Sequence, residues 1–272
     1  MTDLKPVFMR KASSPSENTY SVPALEKAMR ILESLAVATE PLSVAELATQ
    51  QSKSRNEIYR MVNCLETMGY LTRNRLTKRY SLSLKLFQLA GNFPPLARLL
   101  AAARPNLDDL AKAIGESCHI CVLDGTSVSV VAQANGSERI RITFELGARF
   151  DSLETCSGKL ILAELAESEQ ADCLAASSIW KALNSVEKKA LRRAMARAAK
   201  THLWEEDSAL RYGVRDIAVS FGTPDTLLGT IAVPLLSGRR QRSSIASIRT
   251  QLLQSARDIE IKLGLSGLHH SP

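Results

Sequence analysis

The chain has 272 residues, a formal net charge of +7, 45% hydrophobic residues and 23% charged residues. This composition is typical of a soluble protein with packed cores and enough length for two domains, and the lack of any run of about 18 apolar residues argues against a membrane span. The start, residues 1–20, lacks the apolar core of a signal peptide and predicts a disordered arm. Five cysteines without a secretion signal favour a reduced, cytoplasmic protein.

Two helix-start signals, eleven residues apart, follow an amphipathic helix that is predicted over residues 22–38. Each signal is a serine followed three residues later by a glutamate, the spacing of a capping box, and each precedes an apolar stripe with helical period. The pairs are Ser43 with Glu46 and Ser54 with Glu57. A short polar connector at residues 50–53 separates the two helices, and Gly69 ends the second one.

Two short strands, at residues 70–72 and 79–82, then flank a basic turn at residues 73–78. A helix-turn-helix followed by such a hairpin is a winged helix-turn-helix, whose second helix reads the major groove of DNA. Residues 51–80 hold seven basic and two acidic side chains, so that +5 of the net charge of +7 lies there. Neutralising phosphates needs such a cluster, and the alternative is a solvated basic face. We therefore predict a DNA-binding domain over residues 21–91.

The predicted contacts with DNA follow from side-chain chemistry. Arginine reads guanine through two hydrogen bonds and asparagine reads adenine, whereas wing residues contact the backbone or the minor groove. Ser54 caps the second helix, whose first amides can meet a phosphate. The predicted set is Lys53, Ser54, Arg55, Asn56, Tyr59, Arg60 and Asn63 around the second helix, with Arg73, Arg75, Lys78 and Arg79 on the wing.

Glycine and proline at residues 91–95 break the pattern and mark a domain boundary. The apolar residues 96–103, within a segment 92–104, predict a linker helix or dimer contact, and another helix is expected to start at Arg104-Pro105. Residues 105–266 then alternate between strand and helix patterns and predict a mixed, GAF-like effector domain before a tail at residues 267–272. The expected strands are residues 118–123, 128–132, 140–145, 214–221 and 228–235, and the expected helices are residues 159–165, 186–201 and 243–263. The fold class is therefore α+β.

The turn into the predicted helix at residues 159–165 is the candidate effector site. Backbone N–H groups at a helix start bind anions, so this turn suits a small carboxylate. Gly158 permits close approach of the backbone to a ligand. An ordinary helix start capped by Ser157 is the alternative, and the spacing does not fit a P-loop. The predicted effector set is His119, Phe144, Leu153, Thr155, Cys156, Ser157, Gly158, Asp216 and Ser220.

Other functions fit the sequence less well. Cys118 and Cys121 resemble a metal-binding pair, but in a strand they point to opposite faces, so no metal and no cofactor are expected. The basic stretch at residues 188–193 is better explained as a solvated helix face than as a second nucleic-acid site. Because no nucleophile elbow, zinc-protease motif or dinucleotide fingerprint occurs, we expect no enzyme. The main alternative is a ligand-sensing module whose winged helix contacts protein or RNA.

Several strings, in this order and spacing, resemble the isocitrate-lyase-regulator (IclR) family of bacterial transcription factors over roughly residues 21–265. They include Leu65-Glu66-Thr67-Met68-Gly69-Tyr70-Leu71 before the wing, His119-Ile120-Cys121-Val122-Leu123-Asp124-Gly125, Ser157-Gly158-Lys159-Leu160 and Gly213-Val214-Arg215-Asp216. The chain departs from the family pattern at Ser52-Lys53, where Gly-Leu is usual, and at Cys156, where a small residue is common.

The resemblance implies a homodimer or tetramer that binds double-stranded operator DNA through the winged domain. A small organic or aromatic acid would bind the C-terminal domain, and both activators and repressors occur in the family. It further implies a cytoplasmic bacterial protein that associates with the nucleoid when bound to DNA.

Overall fold

The computed structural model describes residues 21–208, 212–223, 229–238 and 243–265. The chain divides between Leu96 and Ala97 into two compact units, which we call the winged unit and the sheet unit. The predicted arm at residues 1–20 and tail at residues 267–272 lie outside the described residues. Within the described ranges, no helix has both the length and the apolar character needed to cross a membrane.

The winged unit contains four helices and a two-stranded antiparallel sheet around one small core. Buried Ile31, Leu47, Ile58, Val62 and Tyr80 form the centre of that core. Leu42 forms a single bridge to Tyr80, which joins the segment before the second helix to the sheet. The elements are α1 (Pro23–Val37), α2 (Val44–Gln50), α3 (Arg55–Thr67), β1 (Leu71–Arg73), β2 (Tyr80–Leu82) and α4 (Lys85–Gly91).

The two predicted capping boxes turn out differently. At the start of α2 the box is complete: the Glu46 amide donates to Ser43 Oγ over 3.3 Å, and the Ser43 amide donates to Glu46 Oε2 over 2.7 Å. At the start of α3 only half of it forms, because Ser54 Oγ accepts from the Glu57 amide while the Glu57 carboxylate pairs with Lys27 of α1. Glu57 thus joins α3 to α1 instead of closing its own cap.

The sheet unit is built on a six-stranded antiparallel sheet with strand order β5-β4-β3-β8-β7-β6. Helix α6 packs on one face of this sheet together with α9, and α10 packs against β7 and β8. The elements are α5 (Pro94–Ile114), β3 (Cys118–Asp124), β4 (Ser127–Ala134), β5 (Arg149–Asp151), α6 (Cys156–Glu164), α7 (Glu167–Ala176), α8 (Ser178–Ala182), α9 (Ser185–Thr201), β6 (Leu203–Asp207), β7 (Val214–Phe221), β8 (Gly229–Leu236) and α10 (Ile245–Leu263).

Two predicted elements are wrong. Residues 94–114 form one helix instead of a linker helix followed by a new helix at Arg104-Pro105, and Pro105 lies inside it. A continuous stripe of buried side chains, including Leu99, Ala103 and Leu107, explains why the helix continues. The predicted strand at residues 140–145 is irregular chain, and the strand β5 begins only at Arg149. Ile140 is 69% exposed, whereas Phe144 packs against the core of the sheet unit, so the alternating apolar residues do not share one buried face.

Ser52, in the turn between α2 and α3, has a φ of 52°, in the left-handed region that favours glycine. The sequence resemblance described above implies glycine at this position. The turn is closed by two backbone hydrogen bonds, from Ser52 N to Thr49 O over 3.2 Å and from Lys53 N to Ala48 O over 3.0 Å. The serine therefore holds a conformation that costs an ordinary residue about 1–2 kcal/mol.

Replacing Ser52 by glycine should raise the free energy of unfolding of the winged unit by up to about 1 kcal/mol. The strain is relieved, and the greater chain entropy of unfolded glycine, about 0.5–1 kcal/mol, offsets only part of that gain. Urea unfolding followed by circular dichroism measures the change. Thr49→Gly, inside α2, is the control and should destabilise the protein. A Ser52→Gly variant that loses stability as the control does would contradict this explanation.

Candidate functional site

The exposed side of α3 carries the predicted base-contacting residues. Ile58, Val62 and Leu65 are buried, so the opposite side of the helix faces outward. Ten of the eleven predicted DNA-contacting side chains are exposed, and Arg79 is partly buried. Five of these residues belong to α3 itself, namely Arg55, Asn56, Tyr59, Arg60 and Asn63.

The wing is a tight turn held by Asn74. Its Oδ1 accepts hydrogen bonds from the amides of Leu76 and Thr77 over 2.9 and 3.0 Å, and Lys78 takes a positive φ of 58°. These bonds present Arg75 and Lys78 outward. Leu76 is 92% exposed at the tip, and sequence reasoning did not single it out, although an apolar residue inside a basic turn was a usable signal.

Two predicted wing residues engage their guanidinium groups within the protein. Arg73 Cζ lies 5.5 Å from the centre of the Tyr80 ring, and Arg79 forms hydrogen bonds. Its Nη1 donates to Pro41 O over 2.7 Å and to Glu46 Oε2 over 2.9 Å, and its Nη2 donates to Glu46 Oε1 over 3.1 Å. Hydrogen bonds from the Ser43 amide and hydroxyl, followed by those from Arg79, lower the pKa of Glu46 to about 2. The carboxylate therefore stays ionised at neutral pH and fastens the wing to the start of α2.

The second candidate site is a small cavity at the start of α6, between that helix and the sheet. Its volume is about 10 Å³, close to the space that one water molecule needs. The ring of Phe144 covers one side, 4.6 Å from the His119 ring and 5.6 Å from the Phe150 ring, measured between centroids. The lining residues are His119, Cys121, Phe144, Phe150, Thr155, Cys156, Ser157, Asp216 and Ala232.

Helix α6 starts against this cavity. Thr155 is its N-cap, and the Thr155 hydroxyl accepts from the Gly158 amide over 3.0 Å. The amides of Cys156 and Ser157 have no partner within the helix, as helix geometry requires of a first turn. Ser157 is 2% exposed, and its Oγ makes no hydrogen bond to nitrogen or oxygen among the described residues; its side-chain partner is the weakly bonding thiol of Cys121. The start of α6 therefore offers the cavity two amides and one hydroxyl.

The cavity is not positively charged. Burial lowers the pKa of His119 to about 4, so its imidazole is neutral at pH 7. Burial raises the pKa of the Cys156 thiol, and the carboxylates of Glu206 and Asp216 raise it further. Lys159 is paired with Glu206. An anion bound here would therefore rely on the dipole of α6 and on the first-turn amides.

Six of the nine predicted effector residues line the cavity, whereas Leu153, Gly158 and Ser220 do not. Leu153 lies in the hydrophobic core of the sheet unit. Ser220 lies at the opposite end of α6, where its hydroxyl donates to Glu164 Oε1, an atom that is also 3.0 Å from His202 Nδ1. Sequence reasoning missed Cys121, Phe150 and Ala232. The alternation of β3 relative to His119 signalled Cys121, but nothing local signalled the other two.

Gly158 has a different role from the one predicted. A Cβ built at this position would lie 2.2 Å from the carbonyl oxygen of Ser152 and 2.6 Å from its Cα. The close approach is therefore between two segments of the protein and does not involve the cavity. Bulk at position 158 would disturb the packing of α6 before it affected a ligand.

Cys118 and Cys121, which resemble a metal-binding pair in the sequence, lie on the buried strand β3 with their thiols on different faces. The Cys118 thiol donates to Leu107 O of α5 over 3.5 Å, whereas Cys121 faces the α6 cavity. Burial raises the pKa of both thiols to about 12. Both side chains are thus protonated at neutral pH and pack as small apolar groups.

Together, the exposed helix α3 and the wing define a winged helix-turn-helix domain, which is followed by a separate sheet unit with its own cavity. Residues 24–75 match the IclR helix-turn-helix domain, and residues 96–261 match the C-terminal domain of bacterial IclR transcriptional regulators. The chain belongs to the IclR family.

Individual relatives are distant. The transcriptional regulator KdgR of Escherichia coli is 27% identical over 143 residues, and the chain spans about half of its length, 54%. XynR of Escherichia coli is 21% identical over 246 residues, which cover 89% of this chain and 98% of XynR. The crystal structure of an IclR homologue from Microbacterium hydrocarbonoxydans, complexed with 4-hydroxybenzoate, has a TM-score of 0.74 at 18% identity and covers 89% of this chain and 100% of its own.

Proposed function

We propose that the protein is a sequence-specific regulator that reads double-stranded operator DNA with α3 and the wing and is controlled by a small carboxylic acid at the start of α6. The observation that carries the DNA half of the proposal is the exposed, basic surface of α3, with Arg60 on the side opposite a buried apolar stripe and Arg55 exposed at the first residue of the helix. Arginine and asparagine on that face match the hydrogen-bonding edges of guanine and adenine.

The wing would supply sequence-independent contacts. Arg75 and Lys78 are exposed on a turn that is held in one shape, so they meet phosphates without a large loss of entropy. Arg79 differs, because its donors are engaged by Pro41 and Glu46. We propose that Arg79 supports the wing instead of contacting DNA.

The cavity suits an aromatic or short organic acid that carries a hydroxyl group. Phe144 and Phe150 provide aromatic walls, and the amides of Cys156 and Ser157 suit a carboxylate. The Asp216 carboxylate would repel a second negative charge but would accept a hydrogen bond from a ligand hydroxyl. The 4-hydroxybenzoate bound to the Microbacterium homologue belongs to this chemical class.

A volume of about 10 Å³ cannot hold such a molecule, so binding must open the cavity. We propose that Phe144 moves, since it lies in the irregular segment 135–148 and its ring closes the cavity against His119. A ligand shifts an equilibrium between two states only through unequal affinity for them. Because the open cavity alone would accept the acid, binding would select the open state and change the affinity for DNA.

We also propose a homodimer, because one recognition helix offers few base contacts and regulators of this type read paired half-sites. Helices α1 and α4 leave Leu25, Met29 and Phe87 about half or more exposed, which suits contact with a second copy. Of the predicted dimer helix, in contrast, Leu99 and Ala103 are already buried within the chain. Sedimentation equilibrium at micromolar concentration should give twice the chain mass of 29.7 kDa. A monomer both with and without DNA would contradict the dimer.

Arg55→Ala combined with Arg60→Ala should weaken operator binding by about 2–6 kcal/mol, since each lost contact costs about 1–3 kcal/mol. The operator is first selected from a random duplex pool with the wild-type protein, and affinity is then measured by gel shift. Arg30→Ala combined with Lys112→Ala removes the same charge from exposed sites outside α3 and should change affinity little. Near-normal binding by the α3 variant, or failure to select any duplex sequence, would contradict the proposal and favour RNA or protein contacts.

Ser157→Ala should weaken acid binding about tenfold, because a hydroxyl that bonds a carboxylate contributes about 1.5 kcal/mol or more. Folding stability should change little, since among the described residues Ser157 Oγ interacts only with the thiol of Cys121, which is a weak hydrogen-bonding group. A thermal-shift panel of hydroxylated aromatic and short organic acids, including 4-hydroxybenzoate, identifies the strongest acid for calorimetry. Ser255→Ala is the matched control, because Ser255 Oγ on α10 is also buried without a nitrogen or oxygen partner among the described residues. Equal acid affinity in both variants would place the ligand elsewhere.

A further inference from the structure

Helix α9 carries a concentration of positive charge that the proposed function does not use. Of its 17 residues six are basic and one is acidic. The one acidic residue, Glu187, accepts a hydrogen bond from the Asn184 amide over 2.8 Å and so completes the helix cap. Met195 and Ala198 are buried, and the basic residues lie on the outward side. The basic residues are Lys188, Lys189, Arg192, Arg193, Arg197 and Lys200.

The outward, basic side of α9 is exposed to solvent and also forms one side of a groove. An open groove of about 520 Å³ runs between α9 and Trp180 of α8. Its sides are Trp180 and four cations, Lys188, Lys189, Arg192 and Arg193, and its floor includes the small residues Ser185 and Ala196. None of these four cations forms an ion pair with another described residue.

Trp180 fixes two of the cations. Lys188 Nζ lies 5.3 Å from the centre of the indole ring, and Arg192 Cζ lies 5.4 Å from it. Cation–π contacts at these distances restrict long side chains that would otherwise sample many rotamers. Two charges are therefore partly ordered before any partner arrives, which reduces the entropy that binding must overcome.

The arrangement of charge distinguishes an extended polyanion from a small anion. At about 100° per residue, positions 188, 189, 192, 193 and 200 fall within an arc of about 140° on one side of the helix. From Lys188 to Lys200 this side extends about 18 Å, at 1.5 Å per residue. A small anion needs cations that converge on one point, whereas these form a row. Along 18 Å of its axis, duplex DNA presents about ten phosphates, one per 1.7 Å.

We propose that the groove between Trp180 and α9 is a second DNA-binding surface, which contacts the phosphodiester backbone of double-stranded DNA without reading its sequence. The lysines and arginines neutralise phosphates and release counterions, and Ser185 and Ala196 let the backbone approach the helix. This surface adds affinity to that of α3 and the wing, and its contribution falls as salt rises.

The test uses the full-length chain with Arg55→Ala and Arg60→Ala as background, so that base reading by α3 is removed. Binding to a 30-base-pair duplex of arbitrary sequence is measured by fluorescence anisotropy at several salt concentrations. Adding Lys189→Gln and Arg193→Gln should lower the affinity at low salt about tenfold. The slope of log affinity against log salt should become shallower by up to about 2, at about 0.9 per lost phosphate contact. Ala196→Glu, an exposed helix position at the groove floor, should weaken binding similarly.

Arg104→Gln combined with Lys112→Gln removes the same charge from exposed positions of α5 and should leave affinity and slope unchanged. If the groove variants bind the duplex as their background does, or if the background itself binds no duplex at low salt, the proposal is overturned. Either result would favour an acidic protein, and not DNA, as the partner that binds the groove. The proposal that α3 reads the operator is tested separately. It fails if the Arg55→Ala, Arg60→Ala protein binds the operator with near-normal affinity.

Discussion

The sheet unit depends on one close contact, the approach of Gly158 in α6 to the backbone of Ser152. Any side chain at position 158 would collide with the Ser152 carbonyl, so only glycine lets the start of α6 lie this close to the chain that leaves β5. From there α6 packs across the sheet and against α9. The first-turn amides of α6, the cavity beside them and the position of α9 with its basic groove all follow from where this helix is seated.

In the winged unit, single carboxylates hold two elements at once. Glu46 completes the cap of α2 and also binds Arg79 of the wing, while Glu57 joins the start of α3 to Lys27 of α1. The recognition helix and the wing are therefore placed by groups that lie beside the proposed DNA surface but do not belong to it. Because the hydrogen bonds from Ser43 lower the pKa of Glu46 to about 2, this link is lost only as the pH falls from about 4.5 toward 2.

The sequence predicted the features that depend on local pattern. Capped helix starts, the outward side of α3 and the strand β7 follow from spacing and periodicity alone. Features that depend on distant partners were missed or misassigned. The Glu57 carboxylate pairs with Lys27 instead of completing its own helix cap. Pro105 stays helical because Leu99 and Leu107 are buried on either side of it, and residues 140–145 form no strand. Likewise, the pattern at Gly158 indicated a close approach but not that Ser152 would be the neighbour.

Hydrogen exchange measured by mass spectrometry tests most directly whether the start of α6 is the effector site. The full-length protein is compared with and without the acid that gives the largest thermal shift. We expect slower exchange in peptides that contain Cys156 and Ser157, together with a change in the segment 140–150 that carries Phe144, because the ligand bonds the first-turn amides and displaces that ring. Slower exchange confined to α8 and α9 or to α10, with the start of α6 unchanged, would contradict the account.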